Sequence, residues 1–271
     1  MPDVVVAATD REPPAVASAE EPVESGLDAE FNSPDEPISG APLLIAEEPG
    51  RPAVDLTGHA SIDEAWPVDT RGDGCSTPRW PEASADTPRV LIIGDSLIRE
   101  TRAPLEAGLV ADGWAPTVRC WGAKGSVWGV QQVERARELD QLPDTVVVSL
   151  GTNDIWWLGI PMADAVTSMM DALGPDITVY WVNLWFGPNN YDRLPEAGPA
   201  NEVLDELALQ YPNLRVIDFA RDFEQARANG IGVGWLDGVH LNDAGNAVRT
   251  ESILTVLRSH AISEDENSPE V

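Results

Sequence analysis

The chain has 271 residues, 43% of them hydrophobic, enough for one well-buried core and too few for two full catalytic domains. Its formal net charge of -29 repels phosphate backbones and anionic headgroups, so nucleic acid is excluded as an expected partner. No stretch approaches the roughly 20 consecutive apolar residues that cross a bilayer, and no membrane-spanning segment is expected.

The opening residues lack the basic flank and length of a signal peptide, so the chain as it stands reads as soluble. Residues 1–53 are rich in Glu, Asp, Pro, Ala and Ser without an apolar period and cannot bury enough surface to offset their ordering entropy. They are predicted to form a disordered acidic tail or stalk, which favours an extracellular or cell-envelope setting over the cytoplasm. Residues 54–87 keep many Pro, Gly and Asp, yet Trp66, Cys75 and Trp80 predict an irregular segment partly packed on the domain. The domain proper is expected over 88–260, with a second disordered acidic tail over 261–271. Cys75 and Cys120 are the only cysteines, and the sequence allows either one disulfide or two unpaired thiols.

Within the domain, apolar runs rich in β-branched residues at 89–93, 117–121, 145–150, 177–184 and 214–219 read as buried parallel strands. Between them, 98–112, 127–140, 161–173 and 199–211 carry apolar residues at helical spacing, and 243–260 closes the chain. Strand–helix alternation predicts a three-layer α/β/α sandwich with a mostly parallel five-stranded sheet. Ligands in such sheets bind beyond the carboxyl ends of the strands.

Ser96 follows the apolar run Val90 to Ile93 and Gly94-Asp95, which sets it where a buried strand gives way to a helix. A serine hydroxyl needs a neighbouring base to act as a nucleophile near neutral pH, and histidine suits that task. Of the three histidines, His59 lies in the Pro/Gly-rich segment and His260 at the end of the last helix, where both are expected to be solvated. His240 lies in a loop before the closing helix, at the expected active edge. Asp237 precedes it by three residues with Gly238 between, a turn that can bring the carboxylate to the imidazole and fix its tautomer. Donors for a tetrahedral oxyanion should end other strands. Asn153, in Gly151-Thr152-Asn153-Asp154, follows the third strand. Gly125 immediately precedes a helix and is preferred to Gly122, which is still leaving its strand.

Gly-Asp-Ser, a glycine leading a helix, Gly-Thr-Asn-Asp and Asp-x-x-His, in that order over about 88–260, resemble the four blocks of the SGNH (GDSL) hydrolase family. The glycine block matches in placement only. The resemblance implies a flavodoxin-like sheet, Ser96 as nucleophile, His240 as base and acid, and Asp237 as its orienter. It further implies an oxyanion hole from the Ser96 amide, Gly125 and Asn153, with no metal or organic cofactor. Arg99 and Glu100 depart from the small or apolar residues expected after the nucleophile, which bears on substrate preference. The implied reaction is hydrolysis of carboxylic esters through an acyl-serine intermediate, on a small-molecule or glycan substrate. An acyltransferase would use the same residues, and a non-catalytic envelope binding module would keep only the fold. Ten tryptophans against four phenylalanines, with Trp121, Trp128, Trp156, Trp157, Trp185 and Trp235 near strand ends, fit a cleft that stacks on sugar rings, such as O-acetylated glycans. Nothing in the sequence sets the oligomeric state, and a monomer is the simpler expectation.

Overall fold

A computed structural model of the chain describes residues 74–75, 87–188 and 196–267, with side chains to His260. The tail predicted over 1–53, most of 54–87 and the side chains of 261–271 lie outside the described residues.

Six strands form one sheet: β1 (Gly74–Cys75), β2 (Arg89–Gly94), β3 (Ala115–Trp121), β4 (Thr145–Ser149), β5 (Thr178–Val182) and β6 (Leu214–Ile217). Their order is β1-β3-β2-β4-β5-β6. The five strands β2 to β6 are all parallel, and only the two-residue β1 runs antiparallel on the β3 edge. Among the described residues six α-helices accompany them: α1 (Ser96–Ala111), α2 (Ser126–Glu138), α3 (Met162–Leu173), α4 (Ala197–Ala208), α5 (Phe219–Ala228) and α6 (Asp243–Asn267). The predicted α/β sandwich is the observed fold.

Side chains alternate across a strand, so the central strands β2, β4 and β5 feed two cores. Leu91 and Ile93, Val146 and Val148, and Val179 and Trp181 meet α2, α3 and α4 through Val133, Met169 and Leu204. Val90 and Ile92, Val147, and Tyr180 and Val182 meet α1, α5 and α6 through Leu105, Phe223 and Ile253. This double burial explains why the strands read as continuous apolar runs.

The periodicity did not predict α5. The run predicted as a strand over 214–219 stops at Ile217, and Asp218 caps the next helix by accepting a hydrogen bond from the Arg221 amide at 3.2 Å. Phe219 and Phe223, one helical turn apart, then face the core, among charged neighbours that mask the pattern. α6 continues to Asn267, past residue 261 where the acidic tail is expected to begin. Cys75 and Cys120 form a disulfide with a Cα separation of 5.1 Å, which ties β1 to β3 at a register pair.

Candidate active site

The chain leaves β2 in the middle of the sheet, turns to β3 on one side and later to β4 on the other. This is the topological switch point at which such sheets open a crevice. Gly94 pairs with Cys120 on β3 and with Ser149 on β4, so the loops that follow these three strands meet at one edge. Ser96 starts α1 two residues beyond Gly94. A Cβ on Gly94 would clash with Ile98 Cγ1, so only glycine lets the helix start directly over the strand end. Asp95 caps α1, accepting a hydrogen bond from the Leu97 amide at 3.0 Å.

His240 reaches the same edge from a loop closed by a bridge between Trp235 and Leu241. Asn242 organises that loop, since its Oδ1 accepts from the Gly234 and Gly245 amides and its Nδ2 donates to the Gly232 carbonyl. Gly238 takes a φ of 95°, a left-handed turn that glycine adopts without strain. The turn folds Asp237 back so that its Oδ1 accepts from the Val239 and His240 amides at 2.9 and 2.8 Å. Its Oδ2 stands 2.7 Å from His240 Nδ1, and His240 Nε2 stands 2.9 Å from Ser96 Oγ. Partial burial raises the Asp237 pKa, but hydrogen bonds from the imidazole and the two amides outweigh it and hold the carboxyl down at about 2. An ionised Asp237 can only accept, so Nδ1 carries the proton and Nε2 is the lone pair that accepts from the Ser96 hydroxyl.

Gly125 is the N-cap of α2, and its amide donates no hydrogen bond among the described residues. The next residue, Ser126, donates from both its amide and its hydroxyl to Asp154, at 2.8 and 2.6 Å to Oδ1. A Cβ on Gly125 would lie 2.6 Å from Leu158 Cδ1 and 2.7 Å from that Asp154 oxygen. Glycine is therefore needed there for close approach, whereas Gly122 sits in the turn leaving β3.

Asn153 follows β4 at the same edge. Its Nδ2 donates to Asp95 Oδ2 at 3.0 Å and to the Lys124 carbonyl at 2.9 Å, while its Oδ1 accepts from the Trp157 indole N–H at 3.0 Å. Both amide hydrogens are thus directed at protein acceptors, and a bound oxyanion would have to share one of them. The indole comes from a π-helical turn, Asp154–Leu158, a rare conformation that concentrates at functional sites.

The arrangement so brings Ser96, Asp237 and His240 into one chain of hydrogen bonds, with Gly125 and Asn153 beside it. Four participants were not singled out as site residues from the sequence. Asp95 is 1% exposed and joins the cap of α1 to Asn153, and burial, partly offset by the Leu97 amide and the charges of Arg249 and His240, pushes its pKa up to about 6. Arg249 of α6 is buried, donates to Ser149 Oγ and lies over the Phe219 ring. Asp154 holds the α2 N-terminus, and Glu100 Oε1 comes within 3.9 Å of His240 Nε2. Asp95 and Asp154 adjoin predicted site residues, and a lone Arg at an apolar helix position is a visible anomaly; only Glu100 had no such signal beyond its departure from the expected block.

His260 corrects an expectation. It is not solvated but 7% exposed, packed against the Trp114 and Tyr180 rings at 6.0 and 5.8 Å between centroids. α6 continues past it and lays it on the core, which a place at the expected end of the last helix beside acidic residues did not suggest. The tryptophans also divide: Trp157 is 52% exposed at the crevice, whereas Trp128 and Trp185 pack on the core and Trp235 lies 4.6 Å from Phe223. Among the described residues no three His, Cys, Asp or Glu side chains converge as metal ligands.

Residues 92–248 match the sequence profile of the GDSL-like lipase/acylhydrolase family. No curated protein is significantly similar in sequence. Among solved structures, the fold resembles the C-terminal catalytic domain of peptidoglycan O-acetyltransferase A from Streptococcus pneumoniae, at a TM-score of 0.53 and 19% identity, covering 64% of this chain and 94% of that one. It also resembles LAE5, an alpha/beta hydrolase from the metagenome of Lake Arreo in Spain (0.52, 16%, covering 62% and 94%). A member of the lipolytic G-D-S-L family from Veillonella parvula is similar to the same degree (0.52, 19%, covering 62% and 97%). At these identities the likeness is one of fold.

Proposed function

The chain belongs to the GDSL-like lipase/acylhydrolase family and is an ester hydrolase of that family, and on that premise we propose that it acts through an acyl-enzyme formed on Ser96. The observation that carries this reading is the continuous line Ser96 Oγ, His240 Nε2, His240 Nδ1, Asp237 Oδ2, with separations of 2.9 and 2.7 Å and only one tautomer compatible with an ionised Asp237.

In the first step Ser96 Oγ forms a bond to the ester carbonyl carbon as its proton passes to His240 Nε2. The carbonyl oxygen, now negative, is held by the Ser96 amide, the Gly125 amide and the Asn153 side chain. The carbon–oxygen bond to the alcohol then breaks, and the imidazolium returns the proton to the leaving oxygen. Water repeats the sequence on the acyl-serine, giving the carboxylic acid and free Ser96. Asp237 orients the ring throughout and stabilises its positive form. The α1 and α2 N-termini add partial positive charge where the oxyanion forms.

The exposed Trp157 face beside Asn153 favours O-acylated glycans as substrates, since an indole face stacks on a sugar ring. Transfer to an acceptor hydroxyl would use the same residues with an alcohol in place of water.

The test is hydrolysis of p-nitrophenyl acetate and of acetylated sugars by Ser96→Ala and His240→Ala proteins. Each substitution is expected to lower turnover by at least about a thousandfold with an unchanged melting temperature. Undiminished turnover by Ser96→Ala would refute the mechanism.

A further inference from the structure

We propose that Glu100 makes the alcohol side of this site selective for esters whose alcohol part carries a positive charge close to the ester oxygen. The inference rests on the serine-esterase reading above, in which His240 Nε2 returns the proton to the leaving oxygen.

That proton transfer fixes where the alcohol sits, because the leaving oxygen must come within hydrogen-bond reach of Nε2. Glu100 stands four residues after Ser96, one turn along α1 and on the same face of the helix. Its Oε1 is 3.9 Å from Nε2. A substituent one or two bonds from the leaving oxygen and directed along α1 therefore comes close to this carboxylate. Asp237, the other carboxylate on the imidazole, is committed to Nδ1 and two amides and faces away from the leaving oxygen.

No Lys or Arg lies within ion-pair distance of Glu100 among the described residues. The buried Arg249 guanidinium feels its charge through space but donates to Ser149 Oγ. The opposite flank, around Gly125, exposes the apolar Val127, Trp157 and Leu158, while the Lys124 ammonium next to it lies over the Trp121 ring. The site is thus acidic where the alcohol leaves. An anionic alcohol meets repulsion there, and a cationic one is attracted.

The experiment compares kcat/KM of the full chain for acetylcholine and for 3,3-dimethylbutyl acetate, which has the same shape with a carbon in place of the charged nitrogen. p-Nitrophenyl acetate serves as the reference. The wild type is expected to prefer the cation by about tenfold, the size for two unit charges about 5 Å apart in a partly solvated cleft. Glu100→Gln should bring the ratio close to one, Glu100→Lys should invert it, and added salt should compress it in the wild type only. A wild-type ratio of one, a Glu100→Gln effect that lowers both esters equally, or failure to hydrolyse either acetate while p-nitrophenyl acetate is turned over would each overturn the proposal and leave the esterase reading standing. Turnover of p-nitrophenyl acetate that survives Ser96→Ala would instead remove the reading on which the proposal rests.

Discussion

Two aspartates flank the proposed nucleophile with opposite titration behaviour, because one is wrapped in donors and the other is sealed in the core. Asp237, held down at about 2, contributes stability that is present above about pH 4 and is lost as pH falls through 2. Asp237→Asn keeps the shape of the turn but removes the acceptor that fixes the Nδ1–H tautomer. Its kcat for p-nitrophenyl acetate should fall by about a thousandfold to ten-thousandfold, with KM little changed. Asp95 works the other way. Its folded pKa of about 6 lies above the ordinary 3.8, so relative stability is full at low pH and declines as pH rises through 6. Asn is also a good helix cap, so Asp95→Asn should gain on the wild type by about 2 kcal/mol between pH 4 and pH 7. Urea melts at the two pH values check the sign; a gap that narrows with pH would show that hydrogen bonds, not burial, govern Asp95.

At the scale of elements, the π-helical turn Asp154–Leu158 couples two parts of the crevice. From it Asp154 holds the start of α2, Leu158 covers Gly125, and Trp157 reaches back to Asn153 Oδ1. That last bond decides which end of the Asn153 amide faces the site. Trp157→Phe keeps an aromatic face and loses the N–H, so kcat for p-nitrophenyl acetate should drop about tenfold while KM stays close to its original value. A rise in KM for acetylated sugars alone, at constant kcat, would assign Trp157 to sugar stacking rather than to positioning Asn153.

For the whole molecule, the edge of the sheet is secured from outside the parallel core. The Cys75–Cys120 disulfide closes a sequence separation of 45 residues that includes β2 and α1, and Cys120 pairs with Gly94 directly beneath the proposed nucleophile. Chain-entropy arguments give such a crosslink about 4 kcal/mol of stabilisation as an upper figure. A Cys75→Ala/Cys120→Ala protein should therefore unfold at distinctly lower denaturant, with a smaller loss of activity at 25 °C, because β2, β3 and β4 remain paired. An unchanged midpoint would show that the reduced unfolded chain is already restricted.

The sequence by itself determined the parallel α/β architecture, since strands buried on both faces must be apolar throughout and the helices between them must carry one apolar stripe. It also nominated Ser96, Gly125, Asn153, Asp237 and His240 as candidates, because each stands where an apolar run ends or a glycine turn begins. Only the tertiary structure decided what depends on side chains distant in the chain. α5 was hidden because ten residues with several charges give too weak a period, and its two phenylalanines count only once the sheet is there to bury them. His260 was misplaced for the same reason, since its neighbours Trp114 and Tyr180 lie on other elements. The pairing of Cys75 with Cys120, the engagement of both Asn153 amide hydrogens and the approach of Glu100 to His240 are likewise distances between separate elements. Local periodicity records which face of an element is buried; it carries no information about which element meets which.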